Sequence, residues 1–149
     1  MTGWSAAAGQ GHDPPPPSSG SHPLYVHHER VRFRDLDGLG HVNNAVFLTY
    51  IEQARAAFFL ERGAIRSLDE LQMIIARVEI DFRSPVGYGE TVGVELRPGR
   101  LGAKSFDLEY VLRVGVRLVA EARSVQVGFD YESGETIPIP EPWRKLLAP

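Results

Sequence analysis

The chain contains no cysteine, which excludes disulfide bonds, a thiol nucleophile and zinc sites built on thiolates. No stretch comes near the roughly 18 consecutive apolar residues of a transmembrane helix, so the sequence predicts no membrane span. The amino-terminal residues lack a basic region followed by an apolar run, and a secretory leader is therefore not expected. These absences together indicate a cytoplasmic protein without a membrane partner.

Strong charge of either sign is also missing. The formal net charge is −3 over 149 residues, so nothing indicates a basic surface for nucleic acid. The spacing of His27, His28 and His41 is not that of a metal site. Neither a GxxxxGK[ST] phosphate-binding loop nor a GxSxG nucleophile elbow occurs. We therefore expect no nucleic-acid partner, no metal and no cofactor.

The composition suits one folded domain preceded by a tail. Hydrophobic residues make up 43% and charged residues 23% of the chain, close to the averages of soluble globular proteins. Residues 1–23 are rich in Gly, Ser and Pro, and their four consecutive prolines at 14–17 favour an extended backbone. The sequence predicts a disordered tail over 1–23 and a single domain over 24–149.

Apolar periodicity predicts one strand, one long helix and then four further strands. In "RVRFR", Val31 and Phe33 alternate with arginines, which is the period of a half-buried strand. Apolar spacing of three and four residues over 44–61, with Gly63 as a carboxyl-terminal cap, predicts an amphipathic helix. Later strands are expected at 74–82, 92–96, 106–112 and 116–129. This order predicts an α+β fold with a largely antiparallel, five-stranded sheet.

Two of these strands have features beyond simple alternation. The strand at 74–82 places Arg77, Glu79 and Asp81 on one face, which must meet solvent, a partner subunit or a ligand. In the last run, the apolar residues change parity between its first and second halves. A slip of one residue exchanges the two faces of a strand, so this change predicts a β-bulge near Arg123–Ser124.

The densest polar stretch is "DLDGLGHVNNAVF", residues 35–47. Its plain interpretation is a helix start, with Asn43 or Asn44 as the cap and the preceding acids in a turn. Its functional interpretation uses the unpaired N–H groups at a helix start. An ester or thioester carbonyl needs such donors as negative charge develops on its oxygen. A nearby carboxylate can attack that carbonyl or deprotonate water, so the combination favours acyl transfer without serine or cysteine.

The stretch "FRDLDGLGHVNNAVFLTYIEQAR" resembles the 4-hydroxybenzoyl-CoA thioesterase-like branch of the hotdog-fold acyl-CoA thioesterase superfamily. The branch carries an aromatic residue, D-x-D-x-x-G-H-V-N-N and an aromatic-rich helix with E-x-x-R. The resemblance continues through "VEIDFRSPVGYGETV", "AKSFDLEY" and "IPIPEPWRKLL", and it covers residues 25–147. It implies a hotdog fold, in which a curved sheet wraps one long central helix. It also implies a homodimer or homotetramer with active sites where two protomers meet.

The same resemblance implies roles for residues of the motif. Asp37, the second acid of D-x-D, takes the position of the catalytic carboxylate, as nucleophile or general base. Asp35 is expected to support the loop through backbone hydrogen bonds. Asn44 falls where a backbone N–H at the start of the helix polarises the thioester carbonyl. His41 and Asn43 are expected to shape the pocket or hold the water.

Three more positions take substrate-binding roles from the resemblance. Phe47 is expected to line the acyl pocket. Lys104 and Ser105 match a step that is associated with gripping the nucleotide and phosphates of coenzyme A. The alternative for these last two residues is a solvated basic hairpin.

The glutamate of E-x-x-R allows two interpretations. A related branch uses a helix glutamate as its carboxylate, and Glu52 lies about two turns into the predicted helix. Arg55 follows three residues later, and we therefore predict a structural i,i+3 ion pair instead.

The sequence thus predicts a thioesterase that hydrolyses an acyl-CoA, or an acyl carrier protein thioester, to the free acid and the thiol. Two alternatives stay open. One is an acyl-thioester binder or sensor without turnover. The other is an enoyl-thioester hydratase or dehydratase, in which His41 would have to be the base.

Overall fold

The computed structural model describes residues 22–148, and the predicted tail lies almost wholly outside the described residues. The elements follow one another as β1 (Tyr25–Arg30), α1 (Asn44–Glu61), β2 (Met73–Phe82), β3 (Thr91–Leu101), β4 (Ser105–Val114), β5 (Arg117–Asp130), β6 (Glu135–Thr136) and α2 (Glu141–Leu147). No helix within this part of the chain combines the length and the apolar character needed to cross a membrane.

The strands form one antiparallel sheet in the order β1-β3-β4-β5-β2, and the two-residue strand β6 pairs with β5. The long helix α1 packs on one face, mainly over β1 and β3. The predicted α+β class is therefore confirmed, with the short β6 as a strand beyond the five expected. Since α1 covers one half of the sheet better than the other, the β2 side of this face lies more open.

The long helix spans the residues that its periodicity predicts. The Asn43 side chain caps its start, and Gly63 follows its end with φ of +71°. Glycine suits that left-handed backbone because it has no Cβ to clash. The apolar residues on the buried face of α1 are Phe47, Tyr50, Ile51, Ala54, Phe58 and Phe59.

The first strand lies earlier in the chain than predicted. It ends at Arg30, and Phe33 lies in a 3₁₀ turn with 81% of its surface exposed, so the strand predicted through Phe33 is wrong. The Arg32 N–H donates to the Asp35 carboxylate at 2.9 Å. Such local hydrogen bonds between side chain and backbone compete with strand pairing, and here they turn the chain towards α1.

The bulge predicted at Arg123–Ser124 is also wrong. The register of β5 against β4 is continuous there and shifts instead between Leu112 and Arg113. The change of apolar parity has another cause, because Ser124 and Gln126 stay on the inner face and are fully buried. The Gln126 amide hydrogen-bonds to the Ser124 hydroxyl, which leaves these inward polar groups satisfied.

The edge strand β2 carries a register shift of its own, between Ile75 and Arg77. This irregularity breaks the single apolar face predicted for residues 74–82. Three large apolar side chains of the strand stay about 40% exposed in one protomer, namely Ile75, Val78 and Phe82.

The short helix α2 closes the other end of the sheet and was not predicted. Trp143 is buried, and its ring centroid lies 4.9 Å from that of Phe59 and 6.4 Å from that of Phe106. A proline in its first turn and basic residues in its last turn are ordinary helix signals.

Candidate active site

A tight hairpin over residues 35–43 brings the polar motif together. The Asn43 N–H donates to the Asp35 carbonyl at 2.9 Å, and the Asp37 N–H donates to the His41 carbonyl at 2.8 Å. Gly40, with φ of +79°, allows the turn between the two arms. Asp37 thus lies two residues, about 7 Å of extended chain, from the paired residues Asp35 and Asn43, and Asn43 leads directly into α1.

Asp35 anchors this hairpin in the interior. Its side chain is buried, with 4% of the residue exposed. The carboxylate accepts hydrogen bonds from the Arg32 backbone N–H at 2.9 Å and from the Tyr50 hydroxyl at 2.7 Å. Burial alone would raise the pKa of Asp35, but these hydrogen bonds and the Arg32 guanidinium hold it below its ordinary value. This geometry agrees with the support role that the sequence predicts.

Tyr50 is a residue whose role the sequence analysis missed. It lies on the buried face of α1, where burial and its hydrogen bond to Asp35 raise its pKa. A buried tyrosine needs a partner for its hydroxyl, and a nearby acid in the preceding turn was the available signal.

Asp37 differs from Asp35 in its exposure to solvent. Its side chain is half-buried, and one oxygen accepts from the Leu39 N–H at 2.8 Å. The other oxygen has no hydrogen-bond partner among residues 22–148. The structure therefore places an available carboxylate oxygen beside the turn of the hairpin.

The start of α1 supplies the complementary donor. Asn43 uses its side-chain oxygen to accept from the Ala45 N–H at 2.9 Å, and its carbonyl accepts from the Val46 N–H. The N–H of Asn44 has no acceptor within the described part of the chain. The asparagine side chain of Asn44 points to solvent and is exposed, so the donor on offer is the backbone.

His41 and Phe47 border this arrangement. The His41 ring is partly exposed and makes no hydrogen bond to any described residue. Phe47 is buried in the first turn of α1 and packs edge-to-face on Phe82 of β2, with ring centroids 5.3 Å apart. The helix start therefore sits beside an aromatic wall that joins α1 to the open strand β2.

A second loop, residues 83–90, braces the hairpin from outside. The Val86 carbonyl accepts from the Val42 N–H at 2.8 Å. Glu90 accepts from the Gly87 N–H at 2.8 Å and from Arg117 at 2.9 Å. Burial works against the charged form of Glu90, but these donors hold its pKa below the ordinary value. Leu39 in the hairpin turn and Tyr88 in this loop have exposed side chains, which the sequence analysis did not single out.

Lys104 and Ser105 lie away from the hairpin of their own protomer. Lys104 precedes β4 and Ser105 begins it. Phe82, which packs on Phe47 beside the helix start, pairs with Ala120, and Ala120 pairs with Leu112 near the other end of β4. Seven strand residues separate Ser105 from Leu112, about 23 Å. Within one protomer, the structure therefore does not bring these residues to Asp37.

Local contacts at this distant end are polar. The Lys104 ammonium donates to the Thr136 hydroxyl at 3.3 Å and makes no ion pair with a described residue. The Ser105 hydroxyl accepts from Arg100 at 2.8 Å. Arg100 also lies 3.4 Å from Asp107, so its charge is already partly balanced.

The predicted ion pair between Glu52 and Arg55 is wrong. Glu52 is exposed on α1, whereas Arg55 turns inward and donates to the Tyr110 hydroxyl at 3.3 Å. The i,i+3 spacing does not bring the two side chains together, because Arg55 lies on the buried side of the helix. No cluster of three His, Asp or Glu side chains suited to a metal ion occurs in residues 22–148.

Comparison with known proteins now identifies the family. The family model described as the thioesterase-like superfamily matches residues 31–147. The chain belongs to the thioesterase-like superfamily. The predicted enzyme class, a thioesterase, and the predicted hotdog fold are thereby confirmed.

Two solved structures and one sequence relative illustrate the match. The chain is 36% identical to a thioesterase of Thermus thermophilus solved with coenzyme A and Zn, with a TM-score of 0.77 over 86% of this chain and 94% of that one. PA2801 from Pseudomonas aeruginosa, a putative thioesterase, gives 30% identity and a TM-score of 0.78 over 85% and 100% of the two chains. A 1,4-dihydroxy-2-naphthoyl-CoA hydrolase of Synechococcus elongatus is 27% identical over 79% of this chain and 93% of its own.

Proposed function

We propose that this thioesterase hydrolyses an acyl-CoA thioester to the free acid and coenzyme A, with Asp37 as the catalytic carboxylate. The observation that carries the proposal is the pairing of two available groups. Asp37 offers a carboxylate oxygen without a partner, and the Asn44 N–H offers a donor without an acceptor, both within the described part of the chain. A reacting carbonyl that contacts both groups completes a site for acyl transfer.

The chemistry follows from these two positions. The thioester oxygen accepts from the Asn44 N–H, which stabilises the negative charge that develops during attack. Asp37 either attacks the carbonyl carbon, forming an anhydride that water later hydrolyses, or takes a proton from an attacking water. In both routes the C–S bond breaks, water supplies the new carboxyl oxygen, and the leaving thiolate is protonated.

The supporting residues take roles that fit their contacts. Asn43 positions the helix start through its cap, and His41 has a ring available to contact water or substrate. Phe47 and Phe82 form an apolar wall suited to the acyl group. The relatives that hydrolyse 1,4-dihydroxy-2-naphthoyl-CoA and the Thermus protein that binds coenzyme A support the substrate class.

A homodimer, alone or within a homotetramer, is part of this proposal. The unpaired edge of β2 carries exposed apolar side chains, and a second strand would cover it. If a two-fold axis passes through this edge, the partner's β2 is antiparallel to β2. The end of the partner's sheet that carries Lys104 and Ser105 then lies near Asp37, where these two residues can hold coenzyme A phosphates.

A panel of aromatic and aliphatic acyl-CoA substrates tests the activity through the release of free thiol. We expect Asp37→Asn to lower kcat about 10²–10⁴-fold, the range for loss of a general acid–base group. Asp69→Asn, an exposed acid in the loop before β2, is the matched control and should keep full turnover. Full turnover by Asp37→Asn would show that the assigned carboxylate is wrong.

Two other outcomes separate the alternatives. Tight binding of acyl-CoA by the native protein without thiol release would identify a binder or sensor. Hydration of an enoyl-CoA that is abolished by His41→Ala would identify a hydratase.

Lys104→Ala tests the coenzyme A grip separately. Because Lys104 makes no ion pair with a described residue of its protomer, its removal should leave the fold intact. We expect KM for acyl-CoA to rise about 10-fold, as for loss of a charged hydrogen bond, while hydrolysis of the matching N-acetylcysteamine thioester, which lacks the nucleotide, is unchanged. Equal effects on both substrates would place Lys104 outside the nucleotide site.

A further inference from the structure

Arg55 is a buried cation whose charge no residue of the described part of the chain balances. Only 7% of the residue is exposed, and among residues 22–148 its one hydrogen bond goes to the neutral Tyr110 hydroxyl at 3.3 Å. That hydroxyl lies 3.0 Å from the Ser124 hydroxyl, which is neutral as well. No carboxylate of residues 22–148 forms an ion pair with Arg55. An arginine stays protonated in proteins, and a buried unpaired charge is strongly destabilising.

An acid of the same helix lies close to this cation and is equally unpaired. Glu52 precedes Arg55 by three residues, so the two side chains leave α1 on adjoining sides. Glu52 is exposed and makes no described hydrogen bond or ion pair. Leu48, one turn earlier, is 40% exposed. This side of α1 therefore carries an unused acid, an unused cation and an apolar side chain.

The strand that borders this side is also uncovered. Val78 and Phe82 of β2 are about 40% exposed, and Phe82 contacts α1 through Phe47. An apolar face with charges of both signs suits a partner that carries the same charges in reverse order. A second copy of the chain, related by a two-fold axis, offers that arrangement.

We propose that a second copy covers this face and that two reciprocal ion pairs form there, each between Glu52 of one protomer and Arg55 of the other. The inference rests on the dimer of the proposed function and names the contact that stabilises it. It also explains why Glu52 and Arg55 do not form an ion pair within one helix, because each of them pairs with a residue of the other protomer.

The charges on the outer face of β2 select the register of the paired edges. Antiparallel pairing centred on Val78 places Arg77 opposite the partner's Glu79. Centres at Arg77, Glu79 or Asp81 would place each of these residues opposite its own copy, and a centre at Ile80 would oppose two acids. Like charges directly opposite each other destabilise a strand pair, so Val78 is the favoured centre.

This centre agrees with the position of Arg55. Val78 pairs with Ser124 in the sheet, and the Ser124 hydroxyl leads through Tyr110 to the Arg55 guanidinium. A two-fold axis through Val78 therefore passes near the strand level of this chain of hydrogen bonds. The proposed ion pairs require antiparallel helices in which residue 52 of each protomer faces residue 55 of the other.

Glu52→Arg tests the pair with little risk to the fold, because the side chain is exposed. It puts a second cation beside the buried Arg55 of the other protomer, twice per dimer. We expect the dimer dissociation constant from analytical ultracentrifugation to rise about 100-fold or more. Glu132→Arg makes the same change of charge in an exposed turn and should leave the constant unchanged. Unchanged dimerisation of Glu52→Arg would overturn the inference.

Reversal of both charges is the second test of the ion pair. Adding Arg55→Glu to Glu52→Arg exchanges the two partners, and we expect recovery to within about 10-fold of the native constant. If circular dichroism shows that this double variant does not fold, a cycle with Glu52→Gln and Arg55→Gln replaces it. Additive effects in that cycle would overturn the pair. A native monomer that still releases thiol would overturn the inference and leave the hydrolase proposal standing.

Discussion

Asp35 and Asp37 stand two residues apart in one hairpin and have opposite surroundings. Asp35 is buried and accepts hydrogen bonds from the Arg32 backbone and the Tyr50 hydroxyl. Asp37 is half-buried, and one of its oxygens has no partner among the described residues. The same residue type thus holds the chain in one position and is available for chemistry in the other.

The difference comes from the direction of the hairpin. The arm that carries Asp35 ends against α1, where the buried Tyr50 hydroxyl meets the carboxylate, and the turn that follows Asp37 lies at the surface. Because the Asp35 carboxylate is buried and one of its oxygens accepts from both the Arg32 backbone and Tyr50, its lowered pKa reflects structural use. A perturbed pKa alone would have selected the wrong acid of the pair.

After Asp37 itself, the largest effect is expected from removal of the Asn44 backbone donor. Asn44→Pro deletes the backbone N–H at the first position of α1, where proline is well tolerated. The extended backbone of Asn43, with ψ of 137°, also suits a residue before proline. We expect kcat for acyl-CoA hydrolysis to fall about 10²–10³-fold, as for loss of an oxyanion donor, with the helix retained by circular dichroism.

Asn44→Ala is the matched control for that substitution. It keeps the backbone N–H and removes the exposed side chain, so turnover should stay within about twofold of native. Equal losses in the alanine and proline variants would assign the role to the side chain instead.

Substitutions of the two acids should differ in their effect on the free energy of unfolding as clearly as in their effect on catalysis. Asp35→Ala leaves the Tyr50 hydroxyl and the Arg32 N–H without their acceptor in the interior. We expect the free energy of unfolding to fall by about 3 kcal/mol, typical of a broken buried network. Asp37→Ala should change it by less than about 0.5 kcal/mol. Urea denaturation monitored by tryptophan fluorescence measures both, and similar losses would contradict the division of roles.

Much of this fold follows from sequence pattern. The bounds of α1, its cap at Asn43 and the buried alternation of β3 and β4 come from local rules that tertiary structure does not override. The resemblance likewise located Asp37 at a helix start. These features share one property: each depends on residues close together in the chain.

Two of the three errors have the opposite property, since they depend on residues far apart in the chain. Phe33 looked like a strand residue because the hydrogen bonds of Asp35 that turn the chain cannot be seen in an alternation pattern. Ser124 and Gln126 suggested a bulge because an alternation pattern does not show that polar side chains are buried with partners such as the Tyr110 hydroxyl of β4. Arg55 looked like the partner of Glu52 because spacing along a helix does not show that a side chain turns inward. The last two errors depend on contacts between distant parts of the chain, whereas the first depends on a local hydrogen bond.

The smallest expected effect concerns the hydrogen bond between Tyr50 and Asp35. Tyr50→Phe removes one donor and keeps the ring, so the free energy of unfolding should fall by about 1–2 kcal/mol at neutral pH. Because the folded pKa of Asp35 lies below its ordinary value of 3.8, ionised Asp35 stabilises the native state above that pH. This contribution is lost as the pH falls through the lowered folded value.

The pH dependence therefore distinguishes the hydrogen bond from simple packing. Without the Tyr50 hydroxyl, the folded pKa of Asp35 should move back towards its ordinary value, and less stability should be lost on acidification below about pH 4. Urea denaturation of the native protein and Tyr50→Phe between about pH 7 and pH 3 measures this difference. Parallel curves would show that the hydroxyl does not hold the Asp35 carboxylate in its charged form, and that burial, not the Tyr50 hydrogen bond, distinguishes Asp35 from Asp37.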